Sequence, residues 1–98
     1  MPVKTHVPRL AWDAARAVVG APDDPARTVR YADWLDAHAG QPYGQLVRES
    51  RDRLIARHDL ESRAVESGVW RVRFDDLLHD RPDLVDPLAN LLQERRAA

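Results

Sequence analysis

The strongest constraint in this chain is its punctuation. Asp24-Pro25 opens a segment and Gly40-Gln41-Pro42 closes it, with Tyr31-Ala32-Asp33-Trp34-Leu35-Asp36 between them. An aspartate ahead of a helix accepts a hydrogen bond from an unpaired N–H of the first turn, and proline at the first helical position gives up a donor that has no partner there. Gly40 can take the left-handed conformation past a helix C-terminus, and Pro42 cannot continue the helix. Val29, Ala32 and Leu35 recur every three residues with Tyr31 and Trp34 beside them. The segment therefore reads as an amphipathic helix around which the other helices pack. Tyr31 and Trp34 have two roles open to them: core, for which a short chain needs its aromatics, or an exposed anchor for a partner. Asp33 and Asp36 fall on the polar side and read as a solvated face, since no acid, base or metal partner accompanies them.

The flanking sequence repeats this grammar. Residues 1–8, with Pro2 and Pro8, read as a flexible N-terminus ahead of one helical domain over 9–96. Arg9 to Val19 is a first helix, its stripe Leu10, Ala14 and Val18 widened by Ala11 and Ala15, with Trp12 at the rim and Gly20 as its stop. A third helix starts near Tyr43 and reaches at least His58, with Tyr43, Val47, Ser50, Leu54 and His58 on one face. Val65 keeps that phase, so Asp59 to Gly68 reads as a continuation of the third helix; a separate helix capped by Asp59 is the alternative. A fourth helix covers Val69 to His79 on the spacing of Trp70, Phe74, Leu77 and Leu78, preferred over an alternating strand that would lack a partner. After the turn Asp80-Arg81-Pro82-Asp83, a last amphipathic helix carries Leu84, Val85, Leu88, Leu91 and Leu92. The fold class is all-α: a small bundle of four or five helices with short antiparallel connections. Its expected core is Leu10, Val18, Val29, Leu35, Val47, Leu54, Trp70, Phe74, Leu77, Leu88 and Leu92.

The stretch DDPARTVRYADWLDAHAGQPYGQLVRE resembles the short bacterial repeat-companion domain over residues 23–48. Arg27, Tyr31 to Asp36, Gly40, Pro42, Gly44 and Leu46 to Arg48 carry the resemblance. Gln41 and Gln45 stand where acidic residues are usual, and Ala39 adds a residue to the turn. That family has no established activity, so the resemblance implies an accessory module and transfers no catalytic residue. The C-terminal third, VWRVRFDDLLHDRPDLVDPLANLLQE, is similar to helical tails that accompany bacterial defence or effector proteins as adaptor regions.

Charge and composition narrow the function classes. The net charge is −1, with fourteen arginines and the single Lys4, so no global field favours nucleic acid or an anionic membrane. Residues 44–73 are net +2 and residues 74–98 net −3. Arg48, Arg51, Arg53 and Arg57 would be the readers of a small DNA-binding regulator, but they diverge around the third helix and read better as a solvated, snorkelling set. Cysteine is absent, which excludes disulfides and thiolate metal sites. No apolar run approaches a membrane span, and Met1 to His6 lacks the apolar stretch of a signal peptide, so a cytoplasmic location is expected. His6, His38, His58 and His79 are scattered, and Ser50, Ser62 and Ser67 sit in helical sequence without a nucleophile motif. No catalytic, cofactor or metal site is assigned. The expected function is non-catalytic protein–protein contact, including self-association, with Tyr31, Trp34, Trp12, Tyr43 and Trp70 as interaction candidates. A ligand-binding or enzymatic bundle is the remaining alternative and would need a pocket of convergent polar groups.

Overall fold

Among the described residues five helices form: α1 (Val7–Val19), α2 (Pro25–His38), α3 (Tyr43–Ala56), α4 (Leu60–Asp80) and α5 (Val85–Ala97), with a 3₁₀ turn at Pro82–Leu84 before the last. The computed structural model describes residues 6–20, 24–57 and 59–97, the side chains of 94–97 excepted. The all-α class is as the sequence indicates, and the segment 69–74 is helical throughout.

The caps explain most boundaries. The Arg9 N–H donates to the His6 ring nitrogen at 3.2 Å, which starts α1 two residues earlier than expected. His6 to Pro8 thus belong to the cap and first turn of α1, while residues 1–5 of the expected flexible N-terminus lie outside the described residues. The Arg27 N–H donates to the Asp24 carboxylate at 3.1 Å, with Pro25 opening α2. At the other end of α2, the Ala39 and Gly40 N–H groups both donate to the Leu35 carbonyl. Gly40 has φ +84°, a conformation that suits glycine.

One boundary corrects the sequence reading. Residues 59–68 do not continue α3. That helix ends at Ala56, and Asp59 starts a new one by accepting the Ser62 N–H at 2.6 Å. The new helix absorbs the expected fourth helix and runs 21 residues to Asp80. His58, expected on the α3 face, lies outside the described residues.

Packing makes α1 the hub. Its most extensive interface is with α4, and it also meets α3 and α5, whereas α2 packs chiefly on α3. Ala11, Ala14, Ala15 and Ala17 are all buried, so the α1 backbone can approach Trp70, Phe74, Leu77 and Leu78 closely. The expectation that α2 organises the chain is therefore overturned: small side chains, not aromatics, mark the helix that others surround. Tyr31 and Leu35 of α2 and Leu88 and Leu91 of α5 close over Ala14, Val18 and Phe74, leaving a void of about 10 Å³, room for one water at most.

The core holds the expected Leu10, Val18, Leu35, Val47, Leu54, Trp70, Phe74, Leu77 and Leu88, with Leu92 half-buried against it. Val29 does not belong: it is 52% exposed, and Thr28 is buried in its place. At about 100° per residue, three-residue steps drift by about 60° each, so Val29 lies far from Leu35 around the helix while Thr28 lies almost in line with it. The radius of gyration is 12.9 Å, that of a compact chain of this length (about 13 Å for 100 residues).

Candidate functional site

Three assemblies of side chains are candidates for chemistry or contact. The most ordered is a polar cluster between α3 and α4. Ser50 sits at the centre of the α3 stripe and is fully buried, as is Trp70. The Trp70 indole N–H donates to the Ser50 hydroxyl at 2.7 Å, and that hydroxyl donates to one oxygen of Glu66 at 2.7 Å. Arg53 closes the set with a fork on the same carboxylate, Nε to one oxygen at 3.0 Å and Nη2 to the other at 2.9 Å. Glu66 is 8% exposed. The Arg53 hydrogen bonds hold its carboxyl below the usual range, against burial and with help from Ser50, and Glu66 in turn raises Arg53.

This geometry joins helices. The Ser50 proton is directed at Glu66, its lone pairs face Trp70 and Arg53, and the hydroxyl meets no solvent. Every buried polar atom of the cluster has a partner, the condition under which such a network fixes one packing of two helices. Neither Ser50 nor Glu66 is singled out for this role by the sequence. The available signal is Glu66 four residues before Trp70, a carboxylate on the buried stripe of one helix with a serine at the centre of the stripe on another.

A second assembly closes the α2–α3 hairpin. Asp36 of α2 accepts the Gly44 N–H at 2.9 Å, capping a helix whose own N-cap, Pro42, offers no side-chain acceptor. Arg48 reaches back to Asp33 at 3.3 Å and to Asp36 at 3.7 Å. The pairings 36 with 44 and 33 with 48 run antiparallel. A Cβ on Gly44 would fall on the Asp36 carboxylate, so the close approach requires glycine. Asp33 and Asp36 are thus not merely a solvated face, as their spacing suggests, but ligands of one guanidinium and one helix N-terminus.

The interaction candidates separate on burial. Tyr31 and Trp70 are core and are unavailable as surface contacts; the Trp70 ring lies 5.4 Å from Phe74 and beneath the Arg73 guanidinium. Trp34 and Tyr43 are half-buried against the core. Trp34 stacks on His38 at 4.4 Å, and the His38 ring nitrogen donates to the Trp34 carbonyl at 2.9 Å. Trp12 is 39% exposed, with the guanidiniums of Arg16 and Arg71 at 5.6 and 5.3 Å from its ring centroid. The structure therefore distributes the five aromatics among roles that spacing alone does not separate.

The third assembly lies on the outside of α4. Val65, Val69 and Val72, at 58, 40 and 47% exposed, follow i, i+4, i+7 spacing and form one apolar row opposite Trp70 and Phe74. Leu60, at the start of the same helix, is also exposed. Between the end of α3 and the start of α4 opens a groove of about 710 Å³, where Arg53 and Arg57 alternate with Asp59, Glu61 and Glu66. Its charges are mixed in sign, and Arg53 and Glu66 are engaged with each other.

Among the described residues no group of three histidine or acidic side chains could hold a metal ion. Among them too, no helix is long and apolar enough to cross a membrane. No protein-family model, curated protein or solved structure matches the chain.

Proposed function

We propose that this chain is a non-catalytic protein-interaction module, an accessory or adaptor domain working in the cytoplasm of a bacterium, and that it makes contact through the outer face of α4. The observation that carries this reading is the valine row Val65, Val69 and Val72. Val47 and Leu54 on α3 are buried while these three aliphatic side chains, at equally regular helical spacing, stand in solvent. The polar groups that could have supported chemistry are engaged in joining helices: Ser50, Arg53, Glu66 and Trp70 hold α3 to α4, and Asp33, Asp36 and Arg48 hold α2 to α3. The resemblance of residues 23–48 to the repeat-companion domain points the same way, toward a module that accompanies other proteins.

The DNA-binding alternative rests on Arg48, Arg51, Arg53 and Arg57. Two of these four are held by carboxylates of neighbouring helices, and Arg51 is half-buried. A phosphate-binding surface needs convergent, uncommitted cations, which this helix offers poorly.

The test is site-specific photo-crosslinking in the cells that express the protein. A benzophenone amino acid at Val69 is compared with the same group at Gln45, an exposed position on α3. A discrete adduct at Val69 and none at Gln45 is the expected result. Equal, diffuse labelling at both positions refutes the reading.

A further inference from the structure

We infer that α5 is a detachable strap, and that its seat on α1, α2 and α4 is also filled by the α5 of a second copy of this chain, the two copies exchanging their last helices. The inference goes beyond the contact face on α4 and does not rest on it.

The strap is fastened differently from the rest of the bundle. α3 is tied to α4 by Ser50, Arg53, Glu66 and Trp70, and α2 to α3 by Asp36 on Gly44 and Arg48 on Asp33. Among the described residues, no hydrogen bond or ion pair joins residues 85–93 to another α-helix. The last helix is held by its apolar face. Leu84 of the 3₁₀ turn, Leu88 and Leu91 follow i, i+4, i+7 spacing and are buried, while Asp86, Asn90 and Gln93 stand in solvent. The groove that receives them is lined by Ala14, Val18, Tyr31, Leu35 and Phe74. The fit is looser than elsewhere in the core: the void of about 10 Å³ lies here, and the Tyr31 hydroxyl is buried with no partner among the described residues. A helix held by leucines against an imperfect seat is a unit that opens at a lower free energy than the whole fold.

A polar clasp sits at the base of the strap. The Arg81 fork donates to both Asp83 carboxylate oxygens, at 3.0 and 2.9 Å, which pins the 3₁₀ turn. Its remaining Nη1 donates to the His38 carbonyl at the end of α2, at 3.3 Å. Arg81 is exposed, so water and salt weaken the clasp. The clasp places the pivot between Arg81 and Val85. Opened, residues 81–84 span about 13 Å, slightly more than a helix diameter of about 10–12 Å. That reach lets a neighbouring copy lie alongside.

The occupant follows from the seat. The helix that fits this groove is α5, and a second copy carries the same helix. Contacts made between copies equal those made within one, so the exchange is governed by the effective concentration of the tethered helix, about 1 mM for a short connector. Exchanged dimers therefore become populated as the chain nears that concentration.

Cross-linking tests this. The chain has no cysteine, so an introduced thiol is unique. Asp13 of α1 and Ala89 of α5 line one groove of about 200 Å³. Full-length Asp13→Cys and Ala89→Cys proteins, one of them isotope-labelled, are mixed at about 1 mM, joined with a short bismaleimide and read by mass spectrometry. Links from position 13 of one copy to position 89 of the other should outnumber 13–13 and 89–89 links, and should be lost when mixing is done about a hundredfold more dilute. Arg81→Ala should speed their appearance about two- to fivefold. Hydrogen exchange of the unsubstituted chain separates strap opening from global unfolding: residues 88–93 should open at least about tenfold more often than residues 70–78. Absence of the 13–89 link, parity with the 13–13 and 89–89 links, indifference to Arg81→Ala, or equal protection of 88–93 and 70–78 each overturns the inference. So does a dimer that Val69→Ser abolishes, because the face of α4 would then join the copies. The photo-crosslink at Val69 reads that other face, so either reading can fail without the other.

Discussion

The α3–α4 cluster makes an asymmetric prediction. Ser50→Ala removes one hydroxyl from a site with no solvent access. Glu66 keeps both bonds from Arg53, so its charge stays compensated, and the Arg53 side chain is itself 51% exposed and partly screened. The Trp70 N–H is in a different position. Its acceptor is gone and the ring is fully buried. An orphaned buried donor costs about 1–3 kcal/mol, to which the lost Ser50–Glu66 bond adds about 1 kcal/mol. The expected destabilisation is about 2–4 kcal/mol, or roughly 8–32 °C in melting temperature for a domain of this size.

The same reasoning fixes the sign of a coupling. Trp70→Phe leaves a cavity, but it also removes the donor, so Ser50→Ala made in that background no longer orphans anything. The double variant should be more stable than the sum of the two singles by about 1–2 kcal/mol, measured by urea denaturation of all four proteins monitored by circular dichroism. An additive cycle, or a Ser50→Ala cost below about 0.5 kcal/mol, refutes the claim that the indole depends on this hydroxyl.

Four further outcomes follow from single residues. Glu66 has a folded pKa depressed by Arg53, so its stabilising share is full above the unfolded value, about 4.3, and is lost as pH falls through the lower folded value; acid titration of stability should be shallower there for Glu66→Gln than for the parent. Gly44→Ala should destabilise by about 1–2 kcal/mol by displacing Asp36 from the α3 cap, whereas Gly68→Ala, with nothing near its added Cβ, should stabilise by up to about 1 kcal/mol, both by thermal melts. Val29→Ser should change stability by no more than about 0.5 kcal/mol in urea denaturation, since the side chain stands in water, and a core-sized loss would restore Val29 to the apolar face.

What could be read from sequence was what the chain encodes locally. Asp24-Pro25 and Gly40 do in three dimensions what their chemistry says they do. The boundary at 59–68 is ambiguous for a local reason as well: Val65 keeps the phase of Leu54, which favours continuation, while Asp59 three residues before Ser62 signals a new start. Val65 proves exposed, so its phase carried no information about packing. Glu66 does not stand out in sequence because a carboxylate in a helix is ordinarily solvated; only the approach of Ser50, sixteen residues away, makes it internal. The α1–α4 interface lies beyond local reading altogether, because alanines advertise close approach without naming the helix that approaches.

This division between local and distant information bears on the resemblance over residues 23–48. Asp24, Tyr31, Asp33, Leu35, Asp36, Gly40, Gly44 and Arg48 each have a structural task in the hairpin: a cap, two buried side chains, two ligands of Arg48, a left-handed turn and a glycine pressed against a carboxylate. The signature is therefore a recipe for two antiparallel helices, and it can recur wherever that hairpin is useful. The contact surface proposed on α4 uses none of these residues; it lies on the outer face of that helix, at the valine row. Hairpin and contact face can consequently vary independently. A variant that breaks Asp36–Gly44 should lower the melting temperature while crosslinking from position 69, measured well below that temperature, stays unchanged, and Val65→Ser should do the reverse.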